Sequence, residues 1–157
     1  DLFVRITDNV RLYKGYRLLA ADGSDIQIPT NPKHEDSYFS GANGQAPYSL
    51  LHLDAVYDLL QHTYVDVAVC GRRDWNEKGV LCNMIDRSNI AKALVIADRG
   101  YESYNLMAHV QEKGWKYLIR IKDIHSSGIA CGLDLPDRDV FDVAIELNLT
   151  TRRTKEV

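Results

Sequence analysis

The sequence predicts an α/β domain built on a mixed β-sheet that is flanked by helices. Three observations predict this class. Segments with the patterns of β-strands fill the first half of the chain, and helical and strand patterns alternate in the second half. Two of the predicted strands are followed at once by an aspartate. A length of 157 residues is sufficient for one domain with its own core.

The first half of the chain predicts three strands. The segment RLLAAD, from Arg17 to Asp22, is a short apolar run that ends in an acid, and Gly23 with Ser24 predicts a bend after it. The alternating DIQIP segment continues the strand until Pro29, and a long polar loop follows over 30–46. The segments 48–57 and 63–69 are rich in β-formers and predict a hairpin.

The second half begins with a predicted helix from Trp75 to Arg87. Asp74 has the sequence position of an N-cap, and Glu77 follows three residues later as in a capping box. Apolar residues at helical spacing then predict one buried face. Glu77 is therefore predicted to hydrogen-bond the backbone at the start of this helix.

A buried strand, a second helix and another strand complete the predicted core. ALVIA, from Ala93 to Ala97, is continuously apolar and is followed by Asp98. A helix is predicted over 103–113, ending at Gly114, and WKYLIRI over 115–121 alternates as a strand. The predicted elements are a meander of strands followed by a helix, a strand, a helix and a strand. This is the element order of a ribonuclease-H-like sheet.

The pattern predicts three regions. Residues 1–15 are interpreted as the tail of a preceding region or a linker, and residues 16–122 as an incomplete ribonuclease-H-like core. In residues 123–157 the alternating segment 140–149 predicts a strand that begins an inserted antiparallel β region.

Composition indicates a globular protein outside the membrane. The chain is 45% hydrophobic and 26% charged, has no apolar run of about 20 residues and does not begin like a signal peptide, so a cytoplasmic location is expected. The three cysteines form no CxxC pair and are interpreted as reduced thiols. A net charge of −3 does not by itself suggest a nucleic-acid partner, although residues 98–122 carry five basic and three acidic side chains.

Asp22 and Asp98 are the candidate catalytic and metal-binding residues. Strand ends of an open α/β sheet meet where the strand order switches, so two acids that follow strands can converge there. Converging carboxylates repel each other unless a cation lies between them, and Mg²⁺ prefers oxygen ligands. The five histidines show no metal-ligand spacing and are interpreted as surface or core residues.

Two sequence blocks resemble those of DDE transposases of the IS4 type. They are ADGSDIQIP at 21–29 and IADRGYESYNLMAHVQEKGWKYLIRIK at 96–122. The resemblance implies that Asp22 and Asp98 are the first and second catalytic acids. The family's third acid, a Glu on a later helix that follows a β-rich insertion, has no match here, and Glu146 lies in a strand pattern instead. The chain is therefore expected to be a catalytic-domain fragment, inactive by itself.

The resemblance also implies an activity, cofactors and partners. The parent enzyme would hydrolyse phosphodiesters at transposon ends and transfer the strands into target DNA, using Mg²⁺ or Mn²⁺, with two ions in the complete enzyme and self-association on DNA. Three alternatives remain. They are a DNA-binding remnant without catalysis, a ribonuclease-H-like nuclease that uses an acid from 134–146, and an inert remnant that merely folds.

Basic and aromatic residues near the predicted site are candidates for DNA contact. Arg99 follows the second acid directly, and Tyr101 belongs to the same block. The alternative for Arg99 is a structural ion pair with Glu102, and the alternative for Tyr101 is packing in the core. The remaining candidates are basic residues before the first helix and along the last strand: Arg72, Arg73, Lys116, Arg120 and Lys122.

Overall fold

The computed structural model describes residues 9–71 and 75–146. They contain six strands, two α-helices and one 3₁₀ turn. The strands are β1 (Arg17–Ile28), β2 (Tyr38–Phe39), β3 (Tyr48–Asp58), β4 (Thr63–Gly71), β5 (Ala93–Ala97) and β6 (Lys116–Ile119). The helices are α1 (Glu77–Arg87) and α2 (Tyr104–Glu112), and the 3₁₀ turn is Arg99–Tyr101.

The strands form one mixed sheet in the order β2-β3-β1-β5-β6, and β4 also pairs with β3. β1 is antiparallel to β3 and parallel to β5, while β5 is parallel to β6. The central β1 thus joins an antiparallel half to a parallel half. The predicted mixed sheet flanked by helices, with the ribonuclease-H-like strand order, is confirmed.

β1 is one continuous strand, so the bend predicted at Gly23 and Ser24 is wrong. Each residue from Leu19 to Ile28 has a partner on β3, including Gly23 with Asp54 and Ser24 with Leu53. Pairing along the whole length of the strand outweighs the turn preference of Gly and Ser. The strand consequently extends well beyond Asp22, which lies near its middle.

The start of α1 also differs from the prediction. Its N-cap is Asn76, whose side chain accepts a hydrogen bond from the Gly79 backbone N–H at 3.1 Å, and the helix begins at Glu77. Asp74, the predicted cap, lies outside the described residues. The predicted capping box is wrong because Asn76 occupies the capping position, and the Glu77 side chain points towards the sheet.

The second helix ends before Gly114, as predicted. The Ser103 side chain caps its start, and Gly114 follows its end with a φ of +73°, a conformation that glycine adopts without strain. By contrast, the strand predicted over 140–149 is absent from its described part, because 140–146 has no strand pairing and Val140 is 86% exposed. Residues 147–149 lie outside the described residues. The division into three regions stays a prediction.

The core lies between the helices and one face of the sheet. Alternating residues of the central strands, among them Leu19, Val56 and Val95, are at most 5% exposed. Leu81, Cys82, Met84 and Ile85 of α1 and Leu106 and Val110 of α2 are buried in the same cluster. Neither described helix is long and apolar enough to cross a bilayer.

A buried ion pair closes the end of the β3–β4 hairpin. The Arg17 Nε atom donates to Asp58 Oδ2 at 2.6 Å, and both side chains are nearly inaccessible to solvent. The other oxygen of Asp58 accepts from the backbone N–H groups of Leu60 and Gln61, each at 2.9 Å. One carboxylate therefore ties β1 to the turn after β3.

We predict that Asp58→Ala destabilises the fold by about 3–5 kcal/mol, because it leaves the buried Arg17 guanidinium without its carboxylate. Urea unfolding followed by circular dichroism measures the difference. Asp66→Ala is the matched control, since Asp66 pairs with an Arg87 side chain that is 56% exposed. We expect this control to change stability by less than about 1 kcal/mol. Equal losses in the two variants would contradict the prediction.

We also predict that the three thiols react at different rates. Burial, with the nearby charge of Asp86, raises the pKa of the Cys82 thiol to about 11, whereas Cys131 is exposed. The thiolate is the reactive form, and an ordinary thiol has a pKa of about 8.5. Near that pH a disulfide reagent should modify Cys131 first and Cys82 only on unfolding, as read by mass spectrometry. Early modification of Cys82 would be inconsistent with this burial.

Candidate active site

Asp22 and Asp98 lie at corresponding positions of two neighbouring strands. In the parallel pair β1 and β5, the last registered partners are Ala20 and Ile96. Asp22 and Asp98 each follow two residues later, and both side chains are exposed. The fold thus brings these two predicted residues to the same part of the sheet.

Local hydrogen bonds orient both carboxylates. Asp22 Oδ1 accepts from the Gly23 N–H at 2.9 Å. Asp98 caps the 3₁₀ turn, and its Oδ1 accepts from the Gly100 N–H at 2.7 Å. The Oδ2 atom of each aspartate takes no part in these bonds and can therefore bind a cation. Carboxylate oxygens are ligands that suit a hard ion such as Mg²⁺.

Glu77 lies between the two chain segments that carry these aspartates. A Cβ atom on Gly23 would come within 2.7 Å of Glu77 Oε1, and one on Gly100 within 3.4 Å of Glu77 Oε2 and 2.9 Å of Asp98 Oδ1. Only glycine at position 23 leaves room for this approach. The Glu77 carboxylate is therefore a further acid close to Asp22 and Asp98, although the sequence predicts a capping role for it.

Burial and the surrounding acids raise the pKa of Glu77. Burial raises the pKa of Glu77, His52 opposes this shift, and the charges of Asp54, Asp98 and Asp22 add to it. Tyr101 is buried beside the same group, and burial together with these four carboxylates raises the pKa of its hydroxyl far above its ordinary value. The site is a region of negative potential, which attracts a cation.

A second cluster, not predicted from the sequence, adjoins these acids. His52 and Asp54 lie two residues apart on β3, are each 3% exposed and face α1. With Glu77 they form a group whose possible metal-ligand atoms all lie within 4.8 Å of one another. Within residues 9–71 and 75–146 no other such group of three is found, and Asp22 and Asp98 are not part of it. The His-x-Asp spacing on a strand, which puts both side chains on one face, is the sequence signal that was missed.

Asp25 supports this cluster from β1. The residue is the registered partner of His52, and its Oδ1 lies 2.7 Å from His52 Nδ1. Alternation along the strand directs Asp25 to the face opposite Asp22, as expected from the sequence spacing. Asp25 therefore orients the imidazole.

The residues predicted to contact DNA differ in their exposure and in their ion pairs. Tyr101 is only 2% exposed, so the prediction that it contacts DNA is wrong and its role is core packing. Arg99 is exposed. Lys122 pairs with Glu102, both through its Nζ at 3.4 Å and through its backbone N–H at 2.8 Å, and its contact with DNA stays a prediction.

The other basic candidates lie at the edge of the sheet or outside the described residues. Lys116 begins β6, and Arg120 follows that strand with its backbone N–H bonded to Ala97 O at 3.1 Å. Both side chains are exposed. Arg72 and Arg73 lie outside the described residues. The described candidates for phosphate contact are therefore Arg99, Lys116, Arg120 and Lys122.

Comparison with known proteins identifies the family. A solved structure similar to this chain is a cryo-EM structure of a piggyBac transposase synaptic complex with hairpin DNA, with a TM-score of 0.46 and 11% sequence identity. The similarity covers 66% of this chain and 22% of that chain. No curated protein matches significantly. The profile of the transposase DDE domain matches residues 13–151, which is most of the sequence, and the chain therefore belongs to the transposase DDE domain family.

Proposed function

We propose that Asp22 and Asp98 are the first two metal-binding acids of a DNA transposase of the IS4 type. Domains of this family use divalent metal ions. The proposed reaction is phosphodiester hydrolysis at transposon ends, followed by transfer of the 3′ ends into target DNA. The proposed ions are Mg²⁺ or Mn²⁺, two in the complete enzyme, and the transposase would self-associate on DNA.

One observation carries this proposal. The two aspartates follow the same registered pair of adjacent parallel strands, and each retains a carboxylate oxygen outside its local hydrogen bond. Divalent ions between such carboxylates activate the attacking oxygen and stabilise the leaving oxygen in phosphodiester chemistry. The protein's own contribution is to hold the two oxygens on rigid strands, so that little reorganisation accompanies ion binding.

The surroundings suit a phosphate backbone only when a cation is bound. Asp22, Glu77 and Asp98 would repel a DNA phosphate, because all three are acidic and close together. Arg99 follows Asp98 directly, and we propose that its exposed guanidinium contacts a phosphate next to the bound ion. Arg120, which directly follows the registered pair of Ala97 with Ile119, would extend this contact along the DNA, and Lys116 lies at the opposite end of β6.

We predict that Mg²⁺ increases the affinity of the chain for duplex DNA several-fold at constant ionic strength. The ion joins the acids to a phosphate and removes their repulsion. In the double variant Asp22→Asn/Asp98→Asn this dependence on Mg²⁺ should disappear, whereas Asp66→Asn, which changes an acid of β4 that is already paired with Arg87, should retain it. Fluorescence anisotropy with a labelled duplex measures these affinities.

The same titration separates the proposal from its alternatives. A DNA-binding remnant would bind with an affinity that falls with salt and does not respond to Mg²⁺. An inert remnant would not bind. Either result, obtained with a folded chain, would contradict the proposal.

We further predict that this chain does not cleave DNA in Mg²⁺ or Mn²⁺, because the third acid implied by the family resemblance is not among its residues. Conversion of supercoiled plasmid to the nicked form is the measurement. Metal-dependent nicking that disappears in Asp98→Asn would contradict this prediction and favour the alternative of a nuclease complete within the chain.

A further inference from the structure

We propose that His52, Asp54 and Glu77 form a second metal site, distinct from Asp22 and Asp98, for a transition-metal ion such as Zn²⁺ or Mn²⁺. The proposed ligands are His52 Nε2 and one oxygen from each carboxylate. This inference does not rest on the proposed function, because none of its ligands is one of the two strand-end aspartates.

The unsatisfied polar atoms of the cluster carry the argument. His52 Nε2 and both carboxylate oxygens of Asp54 are buried and have no hydrogen-bond partner. His52 Nε2 lies 3.4 Å from Asp54 Oδ1 and 3.8 Å from Glu77 Oε1. Buried polar atoms without partners are costly and rare in folded proteins. A cation in contact with all three groups would satisfy them together.

The imidazole is oriented as in histidine ligands of metals. Nδ1 lies 2.7 Å from Asp25 Oδ1, so a proton between these two atoms fixes the tautomer whose Nε2 carries a lone pair. Metal-bound histidines commonly donate their other ring N–H to a carboxylate in this way. In the neutral ring the lone pair of Nε2 then faces the oxygens of Asp54 and Glu77, an arrangement that a bound cation stabilises.

The ligand chemistry selects the class of ion. One imidazole nitrogen with two carboxylates suits Zn²⁺ and its first-row neighbours, whereas Mg²⁺ prefers oxygen ligands alone. Asp54 is 3% exposed, but the Glu77 side chain is 21% exposed and provides the accessible side of the cluster. The Trp75 ring lies 4.6 Å from that of His52 and borders the site.

An ion at this position would connect three elements of the fold. Its ligands come from β3 and from the first residue of α1, and Asp25 links it to β1. Its charge would also offset the acids near Asp98, since Glu77 Oε2 would lie 3.4 Å from a Cβ atom on Gly100, whose N–H donates to Asp98. The proposed role is therefore to fix the start of α1 and to reduce the repulsion around Asp22 and Asp98.

Titration of the metal-free chain with Co²⁺ tests this site, because a nitrogen-ligated Co²⁺ of low coordination number absorbs strongly in the visible range. We expect saturable binding at one equivalent, displacement by Zn²⁺, and quenching of Trp75 fluorescence. His52→Gln and Asp54→Asn should abolish the absorption, and Asp25→Asn should weaken binding by roughly 10- to 100-fold.

Two control variants make the test specific. His109→Gln changes the exposed histidine that pairs with Asp86 at 3.0 Å, and it should leave Co²⁺ binding unchanged. Asp22→Asn/Asp98→Asn should also retain the absorption, so a failure of the proposed transposase site is distinguishable from a failure of this one. Loss of binding in the double variant would show a shared ion and overturn a separate site.

Thermal unfolding supplies a readout that does not depend on spectroscopy. In a chelator Asp54→Asn should unfold at the same temperature as the wild type or higher, because it removes a buried carboxylate. With Zn²⁺ the wild type should gain stability and Asp54→Asn should not. The proposal is overturned if the wild type binds no Co²⁺ and gains no stability, or if binding survives both His52→Gln and Asp54→Asn.

Discussion

The pairing of β1 with β3 on one side and β5 on the other is the constraint on which the site depends. The parallel register with β5 brings Asp22 and Asp98 to corresponding positions, and the antiparallel register with β3 opposes Gly23 to Asp54 and Asp25 to His52. Strand alternation then separates the two groups, because Asp22 and Asp25 project from opposite faces. One strand thereby takes part in two distinct arrangements of polar side chains.

Glycine at position 23 allows these arrangements to approach each other. A side chain there would lie within 2.7 Å of both His52 Nε2 and Glu77 Oε1. The Glu77 side chain would have to turn away, and its carboxylate would no longer lie between the segments that follow Asp22 and Asp98. Asp22 and Gly23 therefore have different roles in β1. Asp22 supplies a carboxylate to the exposed site, and Gly23, which has no side chain, leaves space for the buried cluster.

The strands and the proximity of Asp22 and Asp98 were predictable because their signals are local, although Asp22 lies near the middle of β1 and not at its end. The alternation of polar and apolar residues in 48–57 and the apolar run before Asp98 can each be recognised from a few consecutive residues. The cluster of His52, Asp54 and Glu77 was not predictable in this way, because it depends on how α1 packs against β3. The position of the N-cap also determines the role of Glu77. With Asp74 as the cap, Glu77 would hydrogen-bond the helix backbone. With Asn76 as the cap, Glu77 is the first helical residue and faces the sheet.

The charge distribution bears on the proposed contact between an acidic chain and DNA, which is also acidic. The net charge of −3 includes the four acids Asp22, Asp54, Glu77 and Asp98, which lie close enough together for their charges to act on Tyr101. One divalent ion near Asp22 and Asp98 and another among His52, Asp54 and Glu77 would offset the charges of all four. The surface facing DNA would then be dominated by Arg99 and Arg120. In the proposed arrangement metal binding, rather than overall composition, would determine whether the domain attracts DNA.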